Sequence, residues 1–186
     1  MSKFKFITMD FKDLIQKRRS IRKFTDEQIS QDDVVELMKA ALLSPSSMGK
    51  QAWEFVVIED KDTLAKLSQC KDHGADLLKG AALAVVVLGD SSVSDVWIED
   101  ASIAALMIQL QAENLGLGSC WVQVRNRYKD NEIPANNNVQ ELLNIPEHMQ
   151  CVCIIGIGHK GQKVNPKEEG SLPWEKLHIG TYKSEE

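Results

Sequence analysis

The chain has 186 residues, 43% of them apolar, with 22 Lys and Arg against 27 Asp and Glu for a formal charge of -5. That length and apolar content suffice for one sizeable core, so a single domain over residues 1–186 is expected. The acidic balance argues against a polyanion binder, which needs a surplus of Lys and Arg over a broad face, and nucleic acid is not an expected partner.

Met1 to Met9 is broken by Lys3, Lys5 and Thr8 and offers no continuous apolar core for a signal peptide. The longest apolar run, Ala81 to Leu88, falls far short of the roughly 20 residues that cross a bilayer. A soluble, cytoplasmic protein without a membrane partner is expected. Cys70, Cys120, Cys151 and Cys153 sit in or beside apolar segments, the pattern of buried reduced thiols. Cys151 and Cys153 are two apart on a predicted strand and are expected to share a face. No second pair or nearby His completes a metal site, and none is expected.

In chain order, the first predicted helix covers Phe11 to Lys17. It runs into Lys17-Arg18-Arg19-Ser20-Ile21-Arg22-Lys23, five positive charges in seven residues with no acid among them. Removing those five from the 22 basic residues leaves 17 against 27 acidic ones. Such a local reversal suits a small-anion site, since guanidinium groups bind phosphate through paired charge-assisted hydrogen bonds and a Ser hydroxyl can complete the cradle. A solvated basic helix end, favoured by the helix dipole, reads equally well from charge alone.

Thr25 or Ser30 can cap the next helix, whose Val34, Leu37, Met38, Ala41 and Leu42 recur at helical spacing. Ser44-Pro45-Ser46-Ser47 stops it and opens a small-residue loop to Trp53, either a connector or a polar bed for a ring or ribityl chain. Phe55 to Ile58, Leu83 to Leu88, Trp121 to Val124 and Val152 to Ile157 read as short apolar strands covered on both faces, with helices between them: a mixed α and β class. In the helix from about Val96 to Leu115, Ile103 to Ile108 are six consecutive apolar residues, more than one turn. A turn apolar all round must be buried on every side, by a second subunit or by a central position in a monomer.

Gly116-Leu117-Gly118 is not a dinucleotide fingerprint, because its glycines close a helix and lead into a strand, and Trp121 stands where a third glycine belongs. Gly116 reads as a helix stop. After Lys160 the chain turns polar but carries Leu172, Pro173, Trp174, Leu177, Ile179 and Tyr182. Burying Trp174 contributes on the order of 2 to 3 kcal/mol, while ordering each residue costs about 1 to 2 kcal/mol. Several anchors must therefore dock together, and a partner subunit is one dock. No nucleophile and base, paired carboxylates or His pair at ligand spacing is readable, so a cofactor must carry any chemistry.

Together the arginine segment, the Ser-Pro-Ser-Ser loop and the Gly116 to Gln123 stretch resemble the FMN-dependent nitroreductase family, in the same order and across nearly the whole chain. The resemblance implies an α+β fold with a mostly antiparallel sheet flanked by helices, the long helix at a dimer core, and residues 160–186 as an arm on the partner. It implies that Arg18 and Ser20 hold the FMN phosphate, that Arg22 approaches the ribityl chain and pyrimidine edge, and that Arg19 contributes mainly backbone contacts. Pro45, Ser46, Ser47, Met48 and Gln51 would reach the flavin from the other subunit. Trp121, Val122 and Gln123 would lie by the isoalloxazine, with a backbone N–H toward N5, and Gly158 and His159 on the phosphate side. Many relatives carry Asn at the position of Gly49, Pro at that of Ala52 and a C-terminal Lys/Arg pair, for which Lys163 and Lys167 are the candidates. The short stretch between Asp90 and Val96 offers little lid.

The implied activity is a ping-pong NAD(P)H oxidoreductase reducing nitroaromatics, quinones or related acceptors, with no catalytic side chain. The alternatives are a dehalogenase or flavin-fragmenting relative, or a non-catalytic FMN-binding protein.

Overall fold

The computed structural model describes residues 10–182. The reading of Met1 to Met9 lies outside the described residues. Helix α1 (Phe11–Lys17) is followed by α2 (Gln31–Leu42), β1 (Trp53–Ile58), α3 (Lys61–Leu67), β2 (Leu83–Asp90), α4 (Trp97–Asn114), β3 (Gly118–Gln123), β4 (Tyr128–Lys129), β5 (Ile133–Pro134), α5 (Ala135–Leu143) and β6 (Met149–Gly158). The main sheet has the order β1-β2-β6-β3, antiparallel throughout, and β4 and β5 form a small separate hairpin.

Local chemistry explains the boundaries. Ser30, and not Thr25, caps α2, its side chain accepting from the Asp33 N–H at 3.1 Å. Helix α4 ends at Gly116 (φ +78°), where Gly116 N–H donates to Glu113 O and Leu117 N–H to Ala112 O, the paired bonds of a glycine C-cap. The sheet is covered on both sides. One cluster packs α2 and α4 against Leu83, Val85, Val87, Cys153, Ile155 and Ile157; the other packs α3 and α5 against Ala84, Val86, Leu88, Cys151 and Ile154.

The two neighbouring cysteines therefore do not share a face. Val87 pairs with Cys153 and Leu88 with Cys151, so Val152 is an extra residue on β6. A bulge of this kind resets the alternation of faces, sending Cys151 to one cluster and Cys153 to the other. Burial raises both thiols well above the ordinary cysteine range.

The chain itself buries only one side of the apolar turn in α4. Ala104, Ala105 and Ile108 are inaccessible, whereas Ile103 and Leu106 are exposed, as are Leu42 and Leu43 at the end of α2. Beyond β6 the arm is tied to α1 by reciprocal bonds between Gln16 and Lys167. Its Trp174, Leu177, Ile179 and Tyr182 stay exposed on this chain. No helix among the described residues is long and apolar enough to cross a membrane.

Candidate functional site

After α1 the chain runs extended beside the start of β3. Ser20 bridges Ser119 in parallel and Phe24 bridges Lys160, while Ile21 N–H donates to Ser119 O at 2.9 Å and Gly161 N–H to Lys23 O at 2.8 Å. Glycines allow this close approach. A Cβ on Gly118 would stand 2.8 Å from Ile21, one on Gly158 3.0 Å from Phe24, and one on Gly161 2.8 Å from the Phe24 carbonyl. The glycines that resemble a nucleotide fingerprint thus include one that seats the arginine segment.

In extended chain alternate residues face opposite ways, and the segment divides accordingly. Burial raises the Cys120 thiol above its ordinary range, and the charge of Arg22, the Ser20 hydroxyl, Arg18 and Lys71, in that order, pull it partly back. Arg19 turns away to the Asn165 carbonyl. It lines a separate cavity of about 430 Å³ with Lys160 and Lys163, beside the Lys160–Glu113 ion pair (2.7 Å). Burial holds the Lys71 ammonium below the ordinary lysine range, Cys70 and Cys120 raise it and Arg127 lowers it. Two guanidinium groups, an ammonium and a hydroxyl thus act on one buried thiol, the donor set that suits a phosphate and an electron-rich ring edge.

β3 is an edge strand. On its inner side Val124 N–H donates to Val152 O, while on its outer side Ser119 O accepts from Ile21. By the alternation of an antiparallel ladder, Trp121 and Gln123 turn their backbone groups to the open edge, and Val122 turns its own to β6. The Val122 side chain belongs to the core. Trp121 Nε1 donates to Gln123 Oε1, and Gln123 Nε2 donates to Arg125 O, both at 2.8 Å, so these side chains brace one another. His159 lies 3.3 Å from Gln28 O and 3.8 Å from Glu27, so its ring is engaged by the strap that follows the arginines.

The Ser-Pro-Ser-Ser loop lies elsewhere. Ser47 N–H donates to Asp100 Oδ1 at 2.9 Å, in the first turn of α4, and Gln51 N–H to Ser46 Oγ at 2.9 Å. Met48, Gly49 and Gln51 all have positive φ, Pro45 and Gln51 are exposed, and Met48 is 90% exposed. Only Gly and Asn adopt such a conformation at low cost, which explains how Gly49 (φ +66°) can replace an Asn. Asp100 and Glu113 mark the two ends of α4, thirteen residues or about 20 Å apart along the axis. Within one chain the loop and the arginine segment therefore sit at opposite ends of the same helix. Of the candidate C-terminal cations, Lys163 lies with Arg19 and Lys167 against Gln16, and the Cys120 group includes neither. Sequence reasoning missed Lys71 and Asp100; the polar turn Lys71-Asp72-His73-Gly74 and an acid opening an apolar helix are the faint signals of each.

The sequence pattern of the Nitroreductase family matches residues 15–159. The chain belongs to the Nitroreductase family. An FMN-dependent nitroreductase from Clostridium difficile R20291 superposes with a TM-score of 0.90 at 46% identity, covering 91% of this chain and 98% of that one. A protein of Archaeoglobus fulgidus that bears an NADH dehydrogenase/NAD(P)H nitroreductase name is 37% identical over 160 residues, 84% of this chain and 85% of its own. The FMN reductase (NADPH) of Bacillus subtilis is 26% identical over 190 residues, 90% of this chain and 72% of its own. The α+β, mostly antiparallel architecture expected from sequence is the nitroreductase fold.

Proposed function

We propose that this nitroreductase-family chain works as a homodimer with one FMN at each of two composite sites, reducing nitroaromatic, quinone or related acceptors by a ping-pong cycle. It is an NAD(P)H-dependent flavin oxidoreductase, and the observation that carries the site assignment is the acid-free group Arg18, Ser20, Arg22 and Lys71 at the open edge of β3. Arg18 and Ser20 hold the phosphate. Arg22 and Lys71 place positive charge by the pyrimidine edge, which favours negative charge there. The outward backbone of Trp121 and Gln123 supplies the donor for N5, and Gly158 and His159 close the phosphate end behind Phe24. Arg19 serves through its backbone and through Asn165.

Residues 1–186 act as one unit, with residues 160–186 as an arm on the partner. Pro45, Ser46, Ser47, Met48 and Gln51 of each subunit complete the other subunit's site, a reading supported by their distance from the arginine segment and by the exposed Ile103, Leu106 and Trp174. FMN, when bound, supplies the hydride chemistry, and the chain supplies orientation, charge and exclusion of water. Four free buried thiols accord with a reducing cytoplasm.

The test is the absorbance spectrum of the purified protein, with acid release and chromatography of the cofactor. FMN at one per subunit, and NADH or NADPH oxidation stimulated by menadione, are the expected results. FAD in place of FMN, no flavin after incubation, or bound FMN without turnover would overturn the reading.

A further inference from the structure

Just beyond Gln123 the chain leaves the sheet through a left-handed turn at Asn126 (φ 56°), and Arg127 O accepts from the Ala135 N–H that opens α5. Between this turn, α5 and the start of α4 lies a cavity of about 300 Å³. Arg125 and Arg127 line it, with Trp97 and Tyr128 as aromatic walls and no Asp or Glu. Neither guanidinium forms an ion pair among the described residues, in a chain whose acids outnumber its bases. One wall is fixed: Asn136 accepts from Cys151 N–H at 2.8 Å and donates to Gln140 at 2.9 Å.

The cavity continues the flavin site. Its wall begins at Val124 and Arg125, and the neighbouring Gln123 donates from Nε2 to Arg125 O at 2.8 Å. Cations thus stand at both ends of β3, the Arg18–Arg22 segment beside its start and Arg125 and Arg127 just past its end, the second pair in a hollow that the flavin phosphate does not need. Two planar guanidinium groups beside aromatic walls suit an oxyanion carried on a ring or ribose, and the volume suits a fragment of that size and not a whole dinucleotide.

We infer that Arg125 and Arg127 form a second anion subsite, which takes the phosphate or carboxylate of the reactant that meets the flavin. This rests on the flavin reading above. The two sources of such an anion are the phosphates of the dihydronicotinamide coenzyme and the carboxylate of an acceptor.

The test uses the FMN-loaded protein and the double variant Arg125→Gln/Arg127→Gln. Calorimetry with ADP-ribose reads the phosphates without hydride transfer. Steady-state kinetics compare NADH with an uncharged N-alkyl dihydronicotinamide, and 4-nitrobenzoate with nitrobenzene. The variant should keep its FMN affinity and lose kcat/KM by roughly ten- to a hundredfold, mainly through KM, for the anionic member of one pair only. Weakened ADP-ribose binding with a deficit for NADH identifies the coenzyme phosphate; a deficit for 4-nitrobenzoate alone identifies the acceptor. Equal changes within both pairs, or none, overturn the subsite. A wild-type protein that takes up no FMN would instead sink the flavin reading, while the ADP-ribose titration would still judge the subsite.

Discussion

The Arg18–Arg22 segment and the Ser46–Gln51 loop are both short, polar and irregular, yet the chain holds them in different ways. The arginine segment is pinned against β3 and the end of β6 by backbone bonds and by glycines that leave no room for a Cβ. The loop stands out from the body with three positive-φ residues and a nearly bare Met48, fixed mainly by Asp100. One half of the proposed site is finished within the subunit. The other half is shaped in advance by Asp100 but leaves Met48 and Gln51 bare to solvent, which is how a surface built for a partner looks before the partner arrives.

The largest effect should come from separating the two halves. Leu106→Asp puts a charge on the exposed side of α4, away from the chain's own core. It should leave far-UV circular dichroism unchanged, yield monomers in sedimentation, and abolish stoichiometric FMN binding. A monomer that still binds FMN tightly would show that one chain suffices.

The next contrast lies within the arginine segment. Arg18→Ala removes a charged hydrogen-bond partner and should weaken FMN by about 1.5 to 3 kcal/mol, roughly ten- to a hundredfold. Arg19→Ala, on the side of Asn165, should change FMN affinity by no more than about fivefold, because an exposed ion interaction is worth less than about 1 kcal/mol. Equal losses in both titrations would mean that the alternation of faces does not decide which arginine binds.

The smallest effect concerns Lys71. Burial lowers its pKa in the flavin-free chain, and an adjacent FMN anion favours the protonated form and raises it again. FMN affinity should therefore be full below the lowered pKa and decline as pH rises through it, on the acid side of an ordinary lysine. Lys71→Gln should bind more weakly and flatten that decline; a variant with the wild-type pH profile would remove Lys71 from the site.

Much of this was legible in the sequence because hydrophobic periodicity carries it. Val34, Leu37 and Ala41 fall on the buried face of α2, and Gly116 stops α4 as its position suggests. Leu42, at the same helical spacing, is exposed instead, since periodicity cannot say where a chain's own core ends. The face of Cys151 was not legible, because a single bulged Val152 inverts it and no residue type announces a bulge. β3 begins at Gly118 and not at Trp121 because Gly118 and Ser119 pair with Gly158 and Ile157 and Ser119 meets Ser20, contacts between segments far apart in the chain. Lys71 escaped notice for the same reason: Cys120 and Arg127, which act on it, are its neighbours only in three dimensions.

The composite site is tested most directly by complementation between two defective subunits. One carries Arg18→Ala and Arg22→Ala; the other carries Ser47→Pro, which removes the N–H that Asp100 accepts. Each homodimer alone should bind FMN poorly. Unfolded and refolded together, the mixture should regain one tight FMN site and the matching NADH oxidation per heterodimer, because one of its two sites then combines an intact arginine segment with an intact loop. A mixture no better than the average of the two homodimers would contradict a site shared between subunits.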